Sequence, residues 1–313
     1  LANGEGLEGR VYLFLGSAAG LSSQPDWLYE SNLVGGRAGW GLGLAGDING
    51  DGYSDVAFDV GSNNPANGAV LVFHGGPNGP GASPDRTYPS NHGGFADVLY
   101  AAGDVNGDGF ADLVATEMTL NANTGAITIL GGWESGTGLS VLDFRGGQQT
   151  GEQFGADAAA AGDVNGDGYG DVIVGAPRAD NGQTDEGVVR LYFGGPSLPA
   201  GPASVRDGIQ SEALLGYSVA QGDFNGDGFS DLASGSPYWN GAFNDEGMVS
   251  VWYGGEAGYA ELPDWTYHGE SELSSLGYAI ANAGDVDNDG YDELLIGAPF
   301  WSGEELSVAG KAY

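Results

Sequence analysis

Gly46-Asp47-Ile48-Asn49-Gly50-Asp51-Gly52-Tyr53-Ser54-Asp55 is the segment on which the fold turns. Its pattern, D-x-N-x-D-G-aromatic-x-D, returns at Asp104–Asp112, Asp163–Asp171 and Asp223–Asp231. A fifth copy with altered acids runs from Asp285 to Glu293, and successive starts lie 57, 59, 60 and 62 residues apart. Self-similarity at such a period marks a repeat architecture. The flanks keep phase with the loops. About ten residues upstream a Gly neighbours an aromatic or Leu, as in Trp40-Gly41, Phe154-Gly155, Gly216-Tyr217 and Gly277-Tyr278, with Phe95 following Gly93-Gly94 in the second copy. Downstream comes an apolar run: Val56-Ala57-Phe58, Leu113-Val114-Ala115, Val172-Ile173-Val174, Leu232-Ala233 or Leu294-Leu295-Ile296. The last three runs end in Gly-Ala-Pro or Gly-Ser-Pro. A second alternating stretch then opens at a Gly, as in Gly187-Val188-Val189-Arg190-Leu191-Tyr192-Phe193.

These runs are short, β-branched or aromatic, and bounded by Gly, Pro, Asn and Asp, which reads as strand. Each unit offers a strand before the Asp loop, one after it, a third after Gly187 or its equivalent, and a weaker fourth near segments such as Pro25–Tyr29 and Pro263–Tyr267. Four strands per ~60 residues, repeated radially, predict an all-β fold: a β-propeller of four-stranded antiparallel blades. The expectation is one domain over 1–313. Its units run roughly over 40–94, 95–153, 154–214, 215–275 and 276–313, with 1–39 completing a blade. Residues 9–30 match third and fourth strands, and could close the ring by joining the last blade.

Composition bounds the function. The 313 residues include 61 Gly, 43 Asp plus Glu, 8 Lys plus Arg and no Cys, for a formal net charge of −35. Glycine without a three-residue period excludes collagen. So few basic residues exclude a nucleic-acid partner, whose phosphates need Lys and Arg. No apolar run is long enough for a membrane helix, so no membrane insertion is expected. Without cysteine there are no disulfides, zinc-thiolate sites or thiol nucleophiles.

The charge is concentrated where a cation would use it. Oxygen side chains stand at positions 1, 3, 5 and 9 of each loop, position 7 can offer its backbone carbonyl, and Gly at position 6 permits the turn. Alternating oxygens on a tight loop suit calcium, a hard cation taking six or seven such ligands. The candidate ligands are Asp47, Asn49, Asp51, Tyr53 and Asp55; Asp104, Asn106, Asp108, Phe110 and Asp112; Asp163, Asn165, Asp167, Tyr169 and Asp171; Asp223, Asn225, Asp227, Phe229 and Asp231; and Asp285, Asp287, Asp289, Tyr291 and Glu293. An EF-hand would need a bidentate Glu at position 12. Phe58, Ala115, Val174, Ser234 and Ile296 stand there instead. About five structural Ca2+ sites are expected, weak enough to fill only outside the cell.

On Phe154-Gly155, Asp163–Asp171 and Gly175-Ala176-Pro177, the chain resembles FG-GAP repeat proteins. These include the integrin α-subunit propeller and bacterial extracellular relatives. The resemblance covers essentially the whole chain. Asp59-Val60-Gly61 and Thr116-Glu117-Met118 replace Gly-Ala-Pro in the first two units, so their second strands should end differently. The resemblance implies metal loops on one face and ligand contacts on the other, where Tyr238, Trp239, Phe300 and Trp301 stand in polar connections. It implies a non-catalytic binding or adhesion module for a protein or glycan. The alternatives are an architectural domain of a larger surface protein, or a propeller-scaffold hydrolase or lyase acting on polysaccharide. Asp185-Glu186 and Asp245-Glu246 read as turn and solvation residues. The three histidines, His74, His92 and His268, fall at different phases of the repeat, and no nucleophile or phosphate-loop motif appears.

Overall fold

The apolar runs flanking each Asp loop are strands in a computed structural model, which describes residues 7–18, 20–61, 68–89, 97–133, 141–256, 258–302 and 309–313. Phe95, His92 and the boundary drawn at 94/95 lie outside the described residues. The first blade is β3 (Leu42–Gly46), β4 (Asp55–Val60), β5 (Ala69–Phe73) and β6 (Arg86–Pro89). The second is β7 (Leu99–Gly103), β8 (Asp112–Thr116), β9 (Ala126–Leu130) and β10 (Val141–Gly146). The third is β11 (Ala158–Gly162), β12 (Asp171–Ala176), β13 (Val188–Tyr192) and β14 (Ser204–Asp207). The fourth is β15 (Ser218–Gly222), β16 (Asp231–Ser236), β17 (Met248–Trp252) and β18 (Trp265–His268). Each is an antiparallel meander in chain order. The fifth has three strands, β19 (Ala279–Gly284), β20 (Glu293–Ala298) and β21 (Lys311–Ala312), and β1 (Arg10–Leu13) pairs with β2 (Trp27–Glu30).

The blades stack radially. First strands pack in the order β3, β7, β11, β15, β19. Middle strands are buried on both faces because successive side chains point to opposite neighbours. Val172, Val174 and Ala176 pack toward the second blade, Ile173 toward the fourth. This explains why Leu113-Val114-Ala115 of β8 and Val172-Ile173-Val174 of β12 read as continuous apolar runs and not as alternation with polar residues.

The same geometry explains the Gly-Ala-Pro element. A Cβ on Gly175 would lie 2.0 Å from the carbonyl oxygen of Gly216 in the next blade, and one on Gly235 would lie 1.9 Å from that of Gly277. Backbones therefore touch where the blades converge, and only Gly fits. In the first two blades side chains take over. Asp59 Oδ1 accepts from Gly41 N–H (2.8 Å), and Thr116 Oγ1 from Val98 N–H (3.1 Å). After β8 the chain makes one turn, α1 (Leu120–Asn123), with Asn121 and Ala122 in the left-handed region.

The expected closure by residues 9–30 is not what the structure shows. β1 and β2 hydrogen-bond to each other and not to the fifth blade. The chain's own Lys311–Ala312 already occupies the third-strand place beside β20. Trp27 and Tyr29 of β2 instead pack on Phe58 and Phe73 of the first blade, at ring separations of 5.0–6.3 Å. No described helix is long and apolar enough to cross a membrane.

Candidate functional site

Each Asp loop joins the first strand of a blade to the second, and the first four copies share one bonding pattern. In loop 1, Asp47 Oδ1 accepts from Asp51 N–H (3.0 Å) and its Oδ2 from Gly52 N–H (2.8 Å). Asn49 Oδ1 accepts from Asp51 N–H (2.9 Å), and Asp51 Oδ1 from Tyr53 N–H (2.9 Å). The position-1 bonds recur at Asp104, Asp163 and Asp223 over 2.7–3.1 Å. Position 5 recurs at Asp108, Asp167 and Asp227, accepting from Phe110, Tyr169 and Phe229 N–H. Asn49, Asn106, Asn165 and Asn225 each turn an amide donor to the position-5 carboxylate at 2.9–3.0 Å. That amide and the Tyr53 N–H hold the Asp51 carboxyl below the usual carboxylate range, the backbone donor contributing most.

Position 9 does something further. Asp112 accepts from Val105 N–H and from Gly132 N–H, both at 2.8 Å. It thereby ties the loop to the end of the third strand. Asp55, Asp171 and Asp231 make the same two bonds, to Ile48 and Gly75, Val164 and Gly194, and Phe224 and Gly254. All four are buried. Burial pushes Asp112, Asp171 and Asp231 up to about 6; the two N–H groups oppose the shift and the position-1 and position-5 carboxylates add to it.

Loop 5 departs as its sequence suggests. Asp287 replaces Asn and has no amide to donate, so Asp285, Asp287 and Asp289 bring carboxylate oxygens within 4.8 Å of one another. Glu293 accepts from Val286 N–H at 2.5 Å. The donor set of every loop is oxygen alone, with three carboxylates in each of the first four turns and four in the fifth. That suits calcium's chemistry and is unlike the N and S donors zinc selects.

The loops are also clasped to one another, which the motif alone did not disclose. The position-7 ring of one blade covers the position-4 Gly of the blade before it. A Cβ would lie 2.8 Å from the Phe110 ring if placed on Gly50, 2.3 Å from Tyr169 on Gly107, 3.1 Å from Phe229 on Gly166, and 2.6 Å from Tyr291 on Gly226. Position-8 N–H groups reach back the same way, Ala111 to the Asp47 carbonyl (3.1 Å), Gly170 to Asp104 (2.8 Å) and Asp292 to Asp223 (3.0 Å). In loop 5, Asn288 takes the position-4 place at φ 61°, and among the described residues no ring is seen to cover it. The recurring aromatic at position 7 and Gly at position 4 were the available signal.

On the opposite face, Tyr238, Tyr217, Tyr278 and Phe300 form a row with ring separations of 6.5, 4.8 and 6.0 Å. Two of the four aromatics expected to contact ligand therefore come together through Tyr217 and Tyr278, which the sequence reading used only as repeat markers. Trp239 is half-buried beside His268, 6.1 Å between rings. Trp301 is half-buried in the fifth-blade cluster, its ring 5.5 Å from Lys311 Nζ. A cleft of about 760 Å3 opens beside the row, lined by Arg178, Asp185, Glu212, Tyr217, Tyr238 and Asn240, among others.

The reading of Glu186 and Glu246 as solvation residues is corrected. Both are 2% exposed, and they accept from Asn181 N–H (2.8 Å) and Phe243 N–H (2.7 Å), bracing the loops between second and third strands.

This repeating fold agrees with what the chain is similar to. The FG-GAP repeat family matches residues 101–130, 154–192, 215–252 and 276–313. The chain is an FG-GAP repeat protein with an integrin-like propeller. It is 30% identical over 222 residues to integrin alpha-5 of Xenopus laevis, covering 68% of this chain and 20% of that protein. It is 31% identical over 228 residues to integrin alpha-IIb of Homo sapiens, covering 68% and 21%. A phosphatidylinositol-glycan-specific phospholipase D of Dictyostelium discoideum is 28% identical over 238 residues, covering 66% and 25%. The chain thus spans between a fifth and a quarter of these relatives. A solved rhamnogalacturonan lyase aligns with TM-score 0.42 and 13% identity over 82% of this chain and 59% of its own, a likeness too loose to carry an argument.

Proposed function

We propose that residues 1–313 form one calcium-stabilised extracellular propeller domain that binds a protein or glycan ligand and performs no chemistry. The observation that supports this best is the Asp loop. One oxygen-rich arrangement is repeated on one face, and the twenty-five loop residues named above are its proposed ligands. Calcium neutralises carboxylates that otherwise crowd one another and rigidifies the turn between first and second strands. With a Kd of ~10⁻⁴ M per site, ~1 mM calcium adds ~1.4 kcal/mol per loop and ~7 kcal/mol over five. In a chain without disulfides that is comparable to the stability of a whole domain.

The ligand surface proposed is the aromatic row and adjoining cleft on the other face, with Phe300 exposed and Tyr238 half-buried, and with the half-buried Trp239 and Trp301 proposed as further contacts. Similarity to integrins favours adhesion. Similarity to a phospholipase D is the one observation favouring a role within a larger enzyme. Calorimetric titration with CaCl2 after chelation tests the reading. About five sites and a melting temperature many degrees higher in calcium are expected. An unchanged melt in excess chelator, or hydrolase activity that survives purification and depends on the cleft, defeats it.

A further inference from the structure

Asparagine followed by glycine is a chemically labile pair. With no side chain on the second residue, its backbone nitrogen can swing onto the Asn Cγ, and any contact that holds either partner opposes the approach. The chain holds nine such pairs, seven of them among the described residues, and six of the seven are restrained. In the first four Asp loops the carboxamide is bonded through both its atoms. Asn106 Oδ1 accepts from Asp108 N–H at 2.8 Å and its amide donates to Asp108 Oδ2 at 2.9 Å. Asn49, Asn165 and Asn225 make the same two bonds. The Gly that follows lies under the position-7 ring of the next blade. In loops 2 and 4 its N–H is also held, Gly107 by Asp104 Oδ1 (2.7 Å) and Gly226 by Asp223 Oδ1 (2.8 Å). Asn240 accepts from Asp245 N–H (2.9 Å) and donates to the Tyr238 carbonyl (3.2 Å), while Gly241 N–H bonds to the Phe243 carbonyl (3.3 Å). At Asn78 the restraint is on the second residue, where Gly79 N–H closes a turn onto the Gly76 carbonyl at 3.0 Å.

Asn181-Gly182 is the pair that escapes every one of these restraints among the described residues. It stands in the connection between β12 and β13, and both residues are exposed. The Asn181 backbone N–H is anchored on Glu186 Oε1 at 2.8 Å, but its carboxamide has no hydrogen-bond partner and Gly182 N–H has no acceptor. Gly182 has φ 128°, and a Cβ there would meet nothing within 4 Å, so the nitrogen has open space in which to move. We propose that Asn181 is a site of spontaneous deamidation in the folded protein. The Gly182 nitrogen bonds to Asn181 Cγ and gives its proton to solvent. The bond from Cγ to the side-chain nitrogen breaks, and ammonia leaves a five-membered imide. Water then opens the imide at one carbonyl or the other, giving Asp or its isoaspartyl isomer. One water is consumed, one ammonia is released, and nothing is oxidised or reduced. The product places a new carboxylate in a connection that already carries Asp180, Asp185 and Glu186, and whose Arg178 and Asp185 line the cleft beside the aromatic row. The chemistry is independent of what that cleft binds.

The test holds the whole chain in mildly alkaline buffer, folded in one arm and in urea in the other, and follows its peptides by mass spectrometry for exchange of the amide for a hydroxyl. Two hydrogen bonds that must break before attack are worth at least ~tenfold in rate. In the folded chain Asn181 should therefore convert at least ~tenfold faster than Asn49, Asn106, Asn165, Asn225 and Asn240, and ahead of Asn78. In urea the seven rates should draw together, because each is then the same pair in an open chain. Asn181→Gln should remove the leading signal. A folded chain in which another of the seven leads, or in which none converts, overturns the proposal. So does a leading signal that survives Asn181→Gln, or a lead of Asn181 that persists undiminished in urea, since the fold would then not be its cause.

Discussion

Replacing Asp171 by Ala separates the two roles that position 9 combines. The Asp171 carboxylate is fully buried and accepts from Val164 and Gly194 N–H, each at 2.9 Å. Removal strands two buried donors, at ~1–3 kcal/mol each, so ~2–6 kcal/mol is lost with no metal present. For a chain of 313 residues unfolding as one unit, about 0.7 kcal/mol corresponds to a degree, and the melting temperature should fall by ~3–9 °C in chelator. Asp167→Ala in the same loop is the control. Its exposed carboxylate accepts from Tyr169 N–H and the Asn165 amide, groups that water can satisfy, so in chelator it should cost no more than ~0.5 kcal/mol. In ~1 mM calcium each variant should additionally forgo the ~1.4 kcal/mol of that one site, about 2 °C. Circular-dichroism melts of both variants with and without calcium suffice. Equal losses in chelator would refute the tie between loop and third strand. An undiminished calcium increment in Asp167→Ala would refute metal binding by that loop.

Gly107→Ala should destabilise by ~2 kcal/mol or more, because the position has φ 76° and the new Cβ would meet Tyr169 at 2.3 Å; Asn288→Ala lacks that collision and should cost less in the same melts. Arg190→Met should cost ~3–5 kcal/mol by leaving Glu152 buried and unpaired, and adding Glu152→Gln should recover part of it, measured as a double-mutant cycle. Burial, with Asp97 nearby, pushes Glu117 up to about 7. The unfolded chain therefore releases this proton more readily, and Glu117's contribution is most favourable below pH ~4.5 and is lost as pH rises through about 7. Glu117→Gln should raise stability at pH 8 by ~1–2 kcal/mol and change little at pH 4, read from urea unfolding at the two values.

The blade was legible in the sequence because its determinants are local. A two-residue alternation buries strands, and an Asp-Asn-Asp-Gly turn sets its own hydrogen bonds within nine residues. What escaped reading depends on the neighbouring blade. The aromatic at position 7 looked like a carbonyl donor of arbitrary side chain until its ring was found on the preceding loop's Gly. Glu186 and Glu246 looked like surface acids because nothing near them in sequence shows that the next blade's entry covers them. Ile48 is 1% exposed and its counterpart Val286 is 70% exposed, although the two residues read alike, since Leu113, Leu130 and Trp133 of the second blade share a cluster with Ile48. The pairing of residues 9–30 was likewise ambiguous. Any third and fourth strand pair can complete any blade, and the choice fell to Lys311–Ala312 at one end and the Trp27, Tyr29, Phe58 and Phe73 rings at the other.

Because the position-7 rings of loops 2 to 5 each rest on the turn before them, the acidic face behaves mechanically as one strip of overlapping tiles. On the proposal that the loops bind cations, an ion that stiffens one tile would press a ring onto the glycine of its predecessor and prepare that turn for the next ion. Uptake along the strip should therefore be steeper than five isolated turns would give, with the interior tiles, held from both sides, surrendering their ions last.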